Sequence, residues 1–333
     1  MVKRYSNNPV PIELQLYGEQ FAYGHREILL KYCSISENYM FKAHIPHGGV
    51  SPARIDPINR LNDENGHPIL QLRWRSDSAL EAEVVKIQNV APIGAPFLYA
   101  LSNVGCEKEQ ISDQIQRSVG KVEWPRESLN QSEYLADSQN ILYMPLHTWD
   151  GDVHIHKIPS DSPLRRLKKN NITVLLGFLD FCDPIIRRFY SEMGWKVECA
   201  GVRSSKIIGS PAGSRNNFLY NLHEIFSRND IVISNEFTTG LYYAAAMGKK
   251  IGILNQALNY ELKYSSWQEQ SQFSERMNFI RDYYDWLIGG NEGASYTSIV
   301  ETALGVKSMR SSGYLKENIE LVEFKSYGKN RIL

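Results

Sequence analysis

The sequence predicts an α/β protein: a doubly wound parallel sheet in its second half, preceded by a looser α/β domain. Three observations predict it. Residues 230–254 read as strand, turn, helix and strand in succession. Strand and helix patterns alternate from Ile172 to Leu254, which is the signature of a parallel sheet wound with helices. The first half repeats the alternation less regularly, between polar stretches rich in Pro, Gly, Asn and Asp.

In chain order, Gly24 to Lys31 reads as a helix and Met40 to Ile45 as a strand, ending in Pro46-His47-Gly48-Gly49. Residues 51–68 are turn-forming and read as a long loop. Val84 to Gln88 reads as a strand, Ala95 to Leu101 as a helix after Gly94, and Ile141 to Pro145 as a further strand. Ser, Asp, Pro and Lys replace the apolar pattern over residues 150–171, where a hinge is expected. Ile172 to Gly177 is then a strand, Asp180 to Met193 a helix stopped by Gly194, and Trp195 to Gly201 a strand. A polar loop from Val202 to Ser214 leads to a helix from Asn216 to Arg228.

The strand Asp230 to Ser234 is apolar and rich in β-branched residues, as befits burial on both faces. Asn235 and Glu236 turn the chain, and Thr238 or Thr239 is placed to cap the helix beginning near Gly240. Leu241 to Met247 is small and apolar, Gly248 stands where a helix-ending glycine belongs, and Ile251 to Leu254 is the next strand. Beyond it the chain reads as helical and aromatic to about Ile288, with a polar tail from Lys307. The expected organisation is a first domain over 1–155, a second over 156–306, and a tail over 307–333 returning to the first.

A chain of 333 residues is long for one core and comfortable for two. Lys plus Arg and Asp plus Glu are both 37, so no basic field points to nucleic acid. No apolar run approaches the length that spans a bilayer, so at most peripheral membrane contact is expected. Cys33, Cys106, Cys182 and Cys199 show neither CxxC pairing nor spacing with His, and read as reduced residues of a cytoplasmic protein.

Four polar clusters follow predicted strands. The first is His47-Gly48-Gly49, where the glycines let backbone approach a ligand beside an imidazole. The second, His147-Thr148-Trp149-Asp150, lies beside the expected hinge. The third is Arg203 with Arg215, whose guanidinium forks suit phosphate oxygens. The fourth is the turn of Ser234, Asn235, Glu236, Thr238, Thr239 and Gly240, at a strand's carboxyl end and a helix's amino end, a place that favours an anion. The plain alternatives are a turn with an incidental histidine for the first, a solvated loop with a packed Trp149 for the second, a surface salt bridge for either arginine of the third, and core scaffold for the fourth. Tyr23-Gly24-His25-Arg26-Glu27 most resembles the first turn of an amphipathic helix. His154 and His156 share a strand face near Asp150 and Asp152, but no HExxH, DxD or CxxC accompanies them, and no metal site is expected.

In order and spacing, His47-Gly48, Pro145-x-His147-Thr148, the Asp230–Thr239 turn and Tyr243-Ala-Ala-Ala-Met-Gly248-Lys249 resemble the two-domain GT-B glycosyltransferases, and more loosely the glycerophosphate polymerases of bacterial wall polymers. The last motif is similar to the "EAMxxGKP" end of many sugar-nucleotide transferases, without its glutamate and proline. The resemblance spans residues 40 to 255. It implies two facing Rossmann-like domains and transfer of a sugar from a nucleotide-sugar donor to a glycan or glycolipid acceptor, cytoplasmic or at the inner face of the membrane. It implies no cofactor, with the nucleotide-sugar as substrate. His47, then His147 or Asp150, would be catalytic; Gly48, Gly49, Thr148, the two arginines and the 234–240 turn would bind substrate. A sugar-nucleotide epimerase of the same shape, a glycerophosphate-type transferase and a non-catalytic nucleotide- or glycan-binding module are the alternatives.

Overall fold

The computed structural model describes residues 23–39, 43–45, 70–75, 90–119, 140–145, 156, 158, 163–166, 171–202, 217–234, 238–253 and 296–328. These residues form an α/β protein with two parallel sheets.

The smaller sheet contains β1 (Ala43–His44), β2 (Leu70–Arg73) and β3 (Val90–Pro92) in that order, all parallel. Two helices cover one face: α1 (His25–Tyr32) before β1, and α2 (Pro96–Asn103) after β3. Proline at the first turn of α2 costs no hydrogen bond, because that amide has no helical partner. Of the expected strand of Met40 to Ile45, Ala43–His44 form β1, and residues 40–42 lie outside the described residues. The loop of 51–68 and the strand of Val84 to Gln88 lie outside them.

The larger sheet contains β4 (Ile141–Met144), β5 (Ile172–Leu175), β6 (Lys196–Glu198), β7 (Ile231–Ser234) and β8 (Lys250–Ile253). All pairs are parallel and the order is β6-β5-β4-β7-β8. Counted from β4, this is 3-2-1-4-5, which is compatible with a Rossmann-like fold. Successive side chains of a strand point to opposite faces, so both faces need cover. Leu142, Val232 and Ile251 join a core with α6 (Phe218–Ser227) and α7 (Thr239–Ala246). Ile141, Tyr143, Ile172, Val174, Ile231 and Ile233 join a second core with Tyr190 and Trp195. Helix α3 (Lys108–Val119) supplies Ile111 and Ile115 to the first of these cores.

The strand of Ile141–Met144 lies at the centre of the larger sheet, paired with β5 and β7. The first core is continuous from Ala43, Leu72 and Ile93 through α1 and α2 to Leu142, Val232 and Ile251. Most of the expected hinge at 150–171 lies outside the described residues.

One expectation changes here: the sequence predicts a single helix over residues 180–193. Two form instead, α4 (Phe178–Cys182) and α5 (Pro184–Glu192). Pro184 has no amide to continue the first helix, and Asp183 turns extended (φ −77°, ψ 114°) to cap the second, accepting the Ile185 N–H at 2.7 Å.

The chain after β8 re-enters the description as α8 (Tyr296–Leu304), a 3₁₀ turn (Val306–Ser308) and α9 (Ser312–Gly328). This segment reaches the smaller sheet's helices. The Leu304 carbonyl accepts the Ala95 N–H at 2.8 Å, and Arg310 Nε donates to the Pro92 carbonyl at 3.2 Å. Tyr32 donates its hydroxyl to the Arg310 carbonyl at 3.2 Å, while Leu315 and Ile319 are buried in the shared core. No helix among the described residues is long and apolar enough to cross a membrane.

Candidate ligand site at the strand-order reversal

In open α/β sheets, ligands bind in the crevice outside the carboxyl ends of the strands, where the strand order reverses. Here that point lies between β4 and β7. The described residues at it are Met144, Ser234, Thr238, Thr239 and Gly240.

The two strand ends are joined directly. Ser234 is fully buried, and its Oγ donates to the Met144 carbonyl at 2.8 Å. At the opposite edge, Asp230 Oδ2 accepts the Asn140 N–H at 3.0 Å, and the Asp230 N–H donates to the Asn140 carbonyl at 2.8 Å. The β4–β7 pair is therefore tied at both ends. Above it, a Cβ on Gly240 would lie 3.1 Å from Met144 Cε and 3.3 Å from its Sδ. The glycine lets the first turn of α7 settle onto the methionine.

Thr238 holds the cap position of α7 with extended backbone (φ −126°, ψ 154°), but its side chain makes no capping bond. Its carbonyl accepts the Leu241 N–H at 3.0 Å, whereas its Oγ1 is buried without a partner. The expected hydroxyl cap from Thr238 or Thr239 is thus not made: Thr238 supplies only backbone, and Thr239 is the first helical residue. The crevice presents a helix amino end with no side-chain cap and one unsatisfied hydroxyl beside it. The described lining carries no formal charge.

Of the residues the sequence singled out, the structure brings Ser234, Thr238, Thr239 and Gly240 to this crevice. His47, Gly48, Gly49, His147, Thr148, Asp150, Arg203, Arg215, Asn235 and Glu236 lie outside the described residues. The chain entering the Arg203 segment is held in place, since Asn221 Nδ2 donates to the Ala200 carbonyl at 3.0 Å and the Gly201 N–H to Cys199 Sγ at 3.3 Å. Met144 went unrecognised in the sequence, because a methionine closing an apolar strand carries no signal beyond core packing.

The Tyr23–Glu27 segment takes a more specific place than an amphipathic first turn. Tyr23 and Gly24 both have positive φ (56° and 80°), and His25, the first residue of α1, is fully buried. Its ring centroid lies 6.4 Å from that of Trp74, which in turn lies 6.2 Å from Tyr243 of α7. Tyr23 packs edge-on against Phe218 at the start of α6, with centroids 4.8 Å apart. The end of β2 and the start of α1 thereby meet two helices of the larger sheet through aromatic rings. On the other side of α1, burial raises the pKa of the Glu27 carboxyl, against the opposing pull of Arg26.

His156 packs against Tyr190 and Asp180. Its Nδ1 lies 2.8 Å from the Tyr190 hydroxyl and its Nε2 3.7 Å from Asp180 Oδ1. Among the described residues, no three His, Cys, Asp or Glu side chains are grouped as metal ligands would be. Neither a family model, nor a curated protein, nor a solved structure matches this chain.

Proposed function

We propose that this protein is a glycosyltransferase that moves a sugar from a nucleotide-activated donor to a cell-surface polysaccharide or glycolipid acceptor. The observation that carries the reading is the crevice between β4 and β7. There the Ser234–Met144 tie, the glycine contact and the uncapped start of α7 leave amides and the Thr238 hydroxyl beside an open strand end. A diphosphate fits that set, because a helix amino end and neutral donors stabilise negative charge without a metal.

In this reading the two sheets belong to facing Rossmann-like units in a GT-B-like arrangement, and the donor's phosphates lie over α7. Arg203 and Arg215 supply counter-charge to the leaving diphosphate, while Asn235 and Glu236 bind polar groups of the donor away from its phosphates. His47, with His147 and Asp150 as further candidates, takes the proton from the acceptor hydroxyl as the new glycosidic bond forms. Gly48, Gly49 and Thr148 line the acceptor side. The acceptor's location puts the enzyme in the cytoplasm, at the inner face of the membrane.

The test begins with a thermal-shift comparison of UDP, GDP, CMP, CDP and ADP, since a ligand that prefers the folded state raises its melting temperature. Thr238→Val follows, by calorimetric titration with the nucleotide that binds. Because Oγ1 has no protein partner, stability should change by less than about 0.5 kcal/mol. Loss of a hydrogen bond to a charged phosphate should weaken binding about tenfold. Donor consumption with and without acceptor then separates transferase, epimerase and binding module. If no nucleotide shifts the melting temperature, or if Thr238→Val binds like the parent, the reading fails.

A further inference from the structure

Four large apolar side chains are exposed among the described residues, and two of them, Leu179 and Ile185, stand in one turn. Single exposed apolar residues are ordinary, whereas neighbours of this kind mark a surface that meets a partner. The turn joining α4 to α5 brings the two together. The Leu179 carbonyl accepts the Asp183 N–H at 3.2 Å, and Asp183 Oδ1 accepts the Ile185 N–H at 2.7 Å. Cys182 and Pro184, between them in the chain, are exposed as well.

Packing of the core does not call for either residue. Helix α5 meets Tyr143 and Trp195 through Ile186, Phe189 and Tyr190, with Met193 just past its end. Ile185 is 77% exposed and shares the outer face of α5 with the exposed Arg188, one turn on. Arg187 is exposed beside it, with its guanidinium 5.4 Å from the Phe181 ring. Among the described residues neither arginine is ion-paired, whereas Lys196 and Arg228 both hold Glu198. The carboxylate in the turn, Asp183, is directed at the helix amide it caps, and Glu192 lies at the far end of α5. Chain direction sets this turn on the same edge as the crevice. Helix α4 begins just past the carboxyl end of β5, and α5 runs back to the start of the parallel strand β6. Strand β5 pairs with β4, whose end forms the crevice floor.

We propose that the α4–α5 turn is a docking surface for an anionic bilayer. Leu179, Pro184 and Ile185 enter the headgroup layer, and Arg187 and Arg188 bind lipid phosphates beside them. Exposed aliphatic side chains flanked by unpaired guanidiniums suit that boundary, where apolar groups leave water and cations meet negative charge. The docking is argued from this surface alone; that it turns the crevice toward a lipid-borne acceptor rests on the glycosyltransferase reading.

Co-sedimentation of the full chain with phosphatidylcholine vesicles, with and without phosphatidylglycerol, tests this without reference to activity. The chain should bind the mixed vesicles and leave the neutral ones. Leu179→Ser with Ile185→Ser and, separately, Arg187→Gln with Arg188→Gln should each weaken partitioning about tenfold. Both variants should melt like the parent, because all four side chains are exposed. Mixed vesicles should also slow alkylation of Cys182, which lies within the turn. No binding, equal binding to both vesicle types, variants that partition like the parent, or unchanged Cys182 labelling would each overturn the proposal. So would self-association without vesicles that the serine variant abolishes, since the surface would then join two copies of the chain. Docking in the absence of any nucleotide-induced thermal shift would sink the glycosyltransferase reading and leave this surface standing; a shift without docking would do the reverse.

Discussion

Ser234 Oγ donates to the Met144 carbonyl across 2.8 Å, joining the carboxyl ends of two parallel strands 90 positions apart in the chain. The bond is made where the strand order reverses, so it fixes the floor of the candidate site rather than a distant part of the core. Ser234→Ala removes a fully buried donor and leaves the Met144 carbonyl without it. The expected loss is about 1–3 kcal/mol, read from urea unfolding. A loss near zero would mean that the carbonyl finds another partner and that the tie does not set the floor.

Gly305 should be the least replaceable of the described glycines. Its φ is 64°, and a Cβ there would lie 1.7 Å from the Trp74 carbonyl oxygen, which also accepts the Gly94 N–H at 3.0 Å. Gly105 is the control, with φ 93° and nothing within 4 Å of an added Cβ. Gly105→Ala should cost only the left-handed conformation, about 1–2 kcal/mol. Gly305→Ala adds a backbone clash and should exceed about 4 kcal/mol. Equal losses in denaturant titrations would show that the end of β2 can give way.

Glu27 makes a prediction about pH. Burial holds its folded pKa above the ordinary 4.5. The folded state then binds the proton more tightly than the unfolded chain. This contribution to stability is fully present below the unfolded pKa and is lost as pH rises through the folded one. Glu27→Gln removes the ionised carboxylate, while Arg26 keeps its bonds to the carbonyls of Glu37 and Tyr39. The variant should melt higher than the parent at pH 7, with the difference closing toward pH 4. A variant that melts lower at pH 7 would show that the Arg26–Glu27 pair at 3.6 Å outweighs burial.

The cysteines should differ sharply in reactivity. Burial raises the Cys33 thiol to about 11, opposed by Lys316 of α9, and the side chain is 4% exposed. Cys106 and Cys199 are half-buried with pKa values raised by burial, whereas Cys182 is exposed. Iodoacetamide at pH 8 should label Cys182 first and Cys33 only on unfolding, since the thiolate is the nucleophile. Early labelling of Cys33, followed by peptide mass spectrometry, would mean that α9 does not cover α1.

The sequence by itself determined the local units of the larger sheet, because each unit's signal is contained in a few adjacent residues. Asp230 to Gly248 spells strand, turn, apolar helix and stop, and β7, α7 and the positive φ of Gly248 (72°) follow it closely. Pro184 was equally local, yet the 3.6-residue periodicity on either side hid its break. Tertiary structure alone decided which strands are neighbours. Ile141 to Met144 lies nearer in sequence to the first half, but its apolar residues on both faces are satisfied only between β5 and β7. Pairing there buries Leu142 against one helix layer and Tyr143 against the other. The same packing sets Met144 under the first turn of α7, leaves the Thr238 hydroxyl without the cap bond its position foretold, and buries His156 against Tyr190 and Asp180. None of these has a signal in sequence, since each depends on atoms that chain neighbours do not supply.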